Sequence, residues 1–159
     1  MKAAVIVLAV GLTAARAWAA DPPTLEERGA AIDAVSAEPD GERVVAGHVS
    51  RKLAMSVDVL RTERAQTGLG WGGLLIAHVL ARETGLTAGD IATLFRNGKA
   101  WSEIARDRGV ALDKLSDEVQ RSQEAIEQRS EDRARTDTTP PSRSPAGKSG
   151  KGGKGGSRR

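Results

Sequence analysis

The chain has 159 residues with 24 basic and 21 acidic side chains, and it contains no cysteine, no tyrosine and a single phenylalanine. Disulfides, thiol chemistry and cysteine-linked lipids are thereby excluded, and so few aromatic residues, without sustained apolar–polar alternation, argue against a β-sheet protein. The net charge of +3 conceals a split: residues 21–128 carry 13 basic against 18 acidic side chains, whereas residues 138–159 carry six basic and no acidic ones.

Lys2, the apolar run from Ala3 to Leu12 and the small-x-small exit Ala17-Trp18-Ala19 follow the order of a secretory signal peptide. The run is shorter than the roughly 20 apolar residues a membrane-spanning helix needs. The expectation is a cleaved segment over 1–19 and a mature chain that is periplasmic or secreted.

Residues 20–41 read as an N-terminal helix and turn. Pro22-Pro23 precede Thr24 and Glu27, a Thr-x-x-Glu capping box that opens a helix bearing Leu25, Ile32 and Val35 on one side. Glu38-Pro39-Asp40-Gly41 closes it in a turn. Residues 42–128 read as a helical-hairpin domain. Val45, Val49 and Leu53 step by four along a second helix, and Ser56 caps a third carrying Val57 and Leu60. Gly68 to Gly73 interrupts. A fourth helix carries Leu74, Leu75, Val79 and Leu80 and stops at Gly85. Thr87 caps a fifth with Ile91, Leu94 and Phe95, stopped by Asn97-Gly98. Trp101 and Ile104 belong to a sixth that stops at Gly109, and Leu112, Leu115, Val119 and Ile126 line the last. About ninety residues bury one modest core.

A twelve-residue pattern recurs three times within this stretch: Val49 to Leu60, Leu80 to Ile91 and Ile104 to Leu115. Each copy reads apolar, small, Arg, charged, any, small, apolar, four residues, apolar. That spacing predicts a helix, a tight turn at the second small residue (Ala54, Gly85, Gly109) and a following helix. The fold expected is therefore all-α: a small bundle of three helical hairpins with an N-terminal helix in front. Residues 129–159 form the expected disordered basic tail, rich in Gly, Lys, Ser and Pro. From Thr138 onward it offers no large apolar side chain to offset the entropy of ordering. As a flexible coil those 22 residues span on the order of 25 Å.

Chemistry is sparse. The turn pattern recurs in helix-turn-helix DNA-binding domains, whose second helix presents basic or amide side chains to the groove. Here the second helices carry Asp58, Glu63, Asp90, Asp113, Asp117 and Glu118. Carboxylates facing phosphates repel, so a helix-turn-helix nucleic-acid binder is an alternative only. Gly68 to Gly73 satisfies Gly-x-Gly-x-x-Gly, yet the segment before it, Arg61-Thr62-Glu63-Arg64, reads as helix rather than strand, and no Gly-Lys-Ser/Thr follows. Its expected role is a flexible link that sets Trp71 at the mouth of a helix. Trp71 and Trp101 share a Trp-x-x-apolar start just after a glycine. Either both rings close the core with their indole N–H on a carbonyl, or both stand exposed as a partner-binding pair beside a groove. His48 and His78 are the only histidines. They read as partly buried structural imidazoles, or alternatively as the centre of an envelope hydrolase or metal-dependent enzyme with nearby carboxylates. No cofactor is indicated, and no nucleophile–base pair.

Thr67-Gly68-Leu69-Gly70-Trp71-Gly72-Gly73-Leu74-Leu75-Ile76-Ala77, and Gly98-Lys99-Ala100-Trp101-Ser102-Glu103-Ile104-Ala105 with Gly109-Val110, resemble a group of small exported proteobacterial helical proteins. The similarity covers roughly Val44 to Val119. The resemblance implies a signal peptide, a periplasmic or secreted address and often a Gly/Lys-rich end, and it brings no catalytic residue with it. The functional expectation is an exported, non-enzymatic helical interaction module. Its partner-binding residues are Trp71 and Trp101 on the folded part and Lys148, Lys151, Lys154, Arg158 and Arg159 on the tail, the latter facing an envelope polyanion or protein partner.

Overall fold

The computed structural model of the chain describes residues 22–137. Seven helices and no strand occur among them: α1 Leu25–Ser36, α2 Gly41–Leu53, α3 Val57–Thr67, α4 Trp71–Thr84, α5 Ala88–Arg96, α6 Trp101–Asp107 and α7 Leu112–Asp137. The all-α expectation holds. The segment 1–19 and the tail residues Lys148, Lys151, Lys154, Arg158 and Arg159 lie outside the described residues.

Local chemistry sets the helix ends. Thr24 and Glu27 form the expected capping box, the Glu27 N–H donating to Thr24 Oγ1 at 3.2 Å and the Thr24 N–H to Glu27 Oε2 at 2.7 Å. Thr87 and Asp90 repeat it at α5. Ser56 caps α3 by accepting from the Val59 N–H. The second small residue of each twelve-residue copy is left-handed: Ala54 has φ 54°, Gly85 φ 73° and Gly109 φ 70°. A helix that ends this way turns its next N–H back onto carbonyls of its own last turn. Met55 N–H donates to Ser50 O and Val110 N–H to Ala105 O. The apolar ends of each copy, Val49 and Leu60, Leu80 and Ile91, Ile104 and Leu115, are all buried. The pattern is thus a turn rule joined to a core rule.

Two boundaries differ from expectation. The interruption at 68–73 is shorter than expected, because α4 already begins at Trp71, so Gly72 and Gly73 are helical. The last helix also runs beyond 128, where the tail was expected to start, and continues to Asp137. Its buried residues Leu115, Val119, Ser122 and Ile126 repeat at four, three and four. Continuing that rhythm leads to Arg129, Ser130 and Arg133, so the same face that is apolar at the start of α7 is polar at its end.

The N-terminal helix is no appendage. Its most extensive contacts are with α4 and α7, the largest helix–helix contacts in the structure. Leu25, Ile32 and Val35 of α1 join Leu74, Leu75, Ile76, Leu80, Ile91, Ile104, Val119 and Ile126 in one core. Gly29 and Gly72 mark where α1 crosses α4. A Cβ on Gly72 would lie 2.1 Å from Gly29 O and 2.6 Å from Gly29 Cα, so only hydrogen fits there.

Candidate functional site

Three places in the fold gather polar chemistry, and they are of different kinds. The first is the seat that α1 makes for two other helices. The α4 N-cap is Gly70, which has no side chain to cap with. Asp33 of α1 supplies the missing acceptor across 39 residues, its Oδ1 taking the Gly72 N–H at 3.0 Å. Two turns earlier on the same helix, Glu26 Oε1 takes the Trp101 N–H at the start of α6 at 2.7 Å. The positive end of α4 is therefore occupied by a carboxylate of the chain itself, the position an anion would take at a phosphate-binding glycine loop. The Gly68–Gly73 segment is a helix crossing and a borrowed cap.

Both tryptophans are buried here, Trp71 at 0% and Trp101 at 2% exposure. The exposed-pair reading of Trp71 and Trp101 as partner-binding residues is corrected: each indole opens its helix inward. Trp101 stacks on Phe95 with ring centroids 3.9 Å apart and planes 5° from parallel. The Arg64 guanidinium lies 4.4 Å from the Trp71 ring centroid, an arrangement that a cation gains from over an electron-rich face. The expected carbonyl partner of the Trp71 indole N–H is missing, for Nε1 is buried with no acceptor among the described residues. Filling the core took precedence over satisfying that donor.

The second place holds the histidines, and they work apart. His78 on α4 meets Glu63 on α3, Nε2 to Oε2 at 2.8 Å. His48 on α2 meets Arg129 on α7, Nδ1 to Nη1 at 2.8 Å. A guanidinium only donates, so His48 Nδ1 accepts and the proton of the neutral ring sits on Nε2. That Nε2 is buried without a partner. Burial, then the charges of Arg129, Arg51 and Lys52, push the His48 pKa down to about 4, leaving it neutral near pH 7. No group of three or more His, Cys, Asp or Glu side chains able to hold a metal occurs among the described residues. The metal-dependent alternative through His48 and His78 thus finds no ligand cluster there.

The third place is a groove of about 640 Å³ between α2 and the end of α7. Arg43 and Arg51 line it from α2, Arg129 and Arg133 from α7, with Val44 and Gly47 also on the α2 side and Asp132 and Thr136 on the α7 side. Helical spacing explains the two rows: 43, 47 and 51 lie one turn apart on α2, as do 129 and 133 on α7. Gly47 leaves the wall low, since a Cβ there would meet only Arg51 Nη1, at 3.5 Å. Arg43 pairs with Asp40 on the exposed surface at 3.1 Å, and Asp132 lies 3.6 Å from Arg135. Arg51 and Arg133 have no carboxylate partner among the described residues. Four guanidinium groups facing one concavity with one carboxylate create a positive potential that favours anions.

By contrast, a cavity of about 550 Å³ beside the α6–α7 turn is of mixed sign, with Glu83, Asp117 and Glu118 set against Lys114 and Arg121. There burial would raise the Glu118 carboxyl, but hydrogen bonds from Arg82 and Lys52 outweigh it and hold the group ionised below its usual range. The α2–α7 groove is not legible from sequence, because Arg129 and Arg133 follow the last apolar residue of the α7 stripe, Ile126, and read there as the start of the tail. Extending the 115, 119, 122, 126 rhythm by two more steps would have found its α7 wall. Compared with family models, curated proteins and solved structures, the chain matches none.

Proposed function

We propose that this chain is an exported, non-enzymatic helical interaction module that contacts polyanions through two basic surfaces, the α2–α7 groove and the tail beyond residue 138. The observation that carries the reading is the groove: four arginines around one concavity, three of them (Arg51, Arg129 and Arg133) without a carboxylate partner among the described residues. The tail adds Arg143, Lys148, Lys151, Lys154, Arg158 and Arg159 with no acidic residue among them, and α7 leads from one surface to the other. A cation close to an anionic surface contributes about 1 kcal/mol, fading beyond a Debye length of roughly 10 Å at 0.1 M salt. Ten such groups hold a small protein on a polyanion at low salt. The address is supported by the order of charge, apolar run and small-x-small exit in residues 1–19.

The test is salt-dependent binding of the chain from residue 20 to a labelled single-stranded oligonucleotide used as a generic polyanion. With all ten cations in contact the log–log salt slope is about −7, and after deletion of 138–159 it falls to about −3. Failure of the whole chain to bind this probe, polyphosphate or sulfated polysaccharide at low salt refutes the reading. Recovery of the unprocessed polypeptide from the cytosol of its source cells refutes the export half.

A further inference from the structure

Resting on that reading and narrowing it, we propose that the α2–α7 groove is a discrete site for the phosphate groups of one linear phosphate polymer, held by its backbone alone. Three observations point there. The groove is walled from both sides by arginine and, among the described residues, by no lysine, with Arg43 and Arg51 on α2 and Arg129 and Arg133 on α7. A guanidinium presents paired donors in a fixed plane and suits oxyanions that accept two bonds at once. A group gripped by forks from two opposed walls needs oxygens pointing to both. A tetrahedral phosphate has them, whereas a planar carboxylate offers one edge.

The second observation is shape. Arg43 and Arg51 are eight residues apart, about 12 Å along α2, and Arg129 and Arg133 are four apart, about 6 Å along α7. Two rows of this length facing one trough fit a thread of successive anions better than a single small ion. The third observation is what the groove lacks: among the described residues, no aromatic side chain lines it. Bases would gain no stacking platform there, so a nucleic acid is held through its phosphates without preference for sequence.

The division of labour with the tail follows from side-chain chemistry. The tail cations include Lys148, Lys151 and Lys154 on a Gly-rich segment, point charges with little geometric preference. The groove therefore selects among anions, and the tail raises the local concentration of all of them.

The experiment keeps the full mature chain and changes charge in two places. One variant neutralises the tail (R143Q, K148Q, K151Q, K154Q, R158Q, R159Q). The other neutralises the groove at R51Q/R133Q, a pair whose loss breaks no ion pair among the described residues, with R51K/R133K as the charge-conserving partner. Unchanged helicity by circular dichroism verifies folding. The probes are long-chain inorganic polyphosphate, poly-glutamate, and vesicles of phosphatidylglycerol in phosphatidylcholine. The tail-neutral chain is expected to keep polyphosphate binding and lose poly-glutamate and vesicle binding. R51Q/R133Q is expected to weaken polyphosphate at least tenfold while changing poly-glutamate less than threefold, and R51K/R133K to recover only part of the loss. Equal weakening for polyphosphate and poly-glutamate overturns the phosphate assignment. Unchanged polyphosphate affinity in R51Q/R133Q, with loss in the tail-neutral chain, overturns the groove and leaves polyanion contact through the tail standing. Retention of vesicles by the groove alone assigns the site to a membrane surface and overturns the linear ligand. No binding of any probe by the unaltered chain removes both this inference and the function it rests on.

Discussion

Gly72 and Gly73 are adjacent in the first turn of α4, yet alanine at each should move stability in opposite directions. Both gain helix propensity, about 0.5 kcal/mol at these terminal positions. They differ in what a Cβ meets. At Gly72 it would fall 2.1 Å from Gly29 O and 2.7 Å from Gly29 C, against backbone that no rotamer change can move. Ordinary contact begins near 3.4 Å, so α1 and α4 must separate by about 1 Å. That draws Ile76 away from Gly29, where its Cδ1 lies 3.3 Å from the position of a Cβ, and lengthens the Asp33–Gly72 hydrogen bond. Overpacking of this kind costs about 3 kcal/mol, giving a net loss of roughly 2–3 kcal/mol. At Gly73 the nearest atoms are Leu69 Cβ and Cδ2 at 3.5 Å and Trp101 Cζ2 at 3.6 Å, ordinary contacts, so the propensity gain survives. Urea unfolding of the mature chain measures the difference. With a slope of roughly 1.5 kcal/mol per M, G72A shifts the midpoint down by about 1.5 M and G73A raises it by a few tenths. If G72A proves as stable as G73A, the two helices do not cross at Gly29 and the account of the core is wrong.

Ala54 holds a left-handed backbone at φ 54°, a conformation that costs a residue with a Cβ about 1 kcal/mol. Thermal unfolding should accordingly show A54G more stable by about that amount, an unusual gain from introducing glycine at a helix end. Asp33→Ala orphans the Gly72 N–H and should cost about 1–2 kcal/mol by urea titration, while Asp33→Asn keeps an acceptor oxygen and loses less than half of that. His48 gives a pH signature. Its folded pKa of about 4 lies below its ordinary 6.5, so the folded state excludes a proton that the unfolded chain binds. Stability from this group is complete above pH 6.5, declines as pH falls towards 4 and is flat below. The full shift corresponds to about 3 kcal/mol; with the ring half-buried, solvent screening leaves roughly 1–2 kcal/mol. Urea midpoints measured from pH 7 to 4 should fall more steeply for the unaltered chain than for H48Q, and parallel curves would show that the buried His48 ring does not contribute to acid sensitivity.

The helix ends of this protein are written locally, and that is why they could be read in advance. A capping box needs residues three apart, a left-handed stop needs one small residue, and an apolar stripe needs a rhythm of three and four. Thr24 with Glu27, Thr87 with Asp90, Gly85 and Gly109 all lie within that horizon. Asp33 illustrates what lies beyond it. Nothing near Asp33 in sequence indicates that it caps a helix 39 residues later, nor that Glu26 does the same 75 residues on. The tryptophans were ambiguous for a related reason: a helix start shows where an indole is attached, and only the packing of α1 over α4 and α6 decides which way it faces.

Sequence alone determined the all-α class, the turn residues and the core-facing positions, since each depends on backbone geometry that repeats within a few residues. It also exposed the charge split between residues 21–128 and 138–159, which is a matter of counting. Tertiary structure decided the central place of α1, the burial of Trp71 and Trp101, the separation of His48 from His78 by their partners, and the meeting of Arg43 and Arg51 with Arg129 and Arg133. Those four arginines come from segments about eighty residues apart, and their fields add only where the α7 stripe, apolar through Ile126 and basic after it, passes over α2.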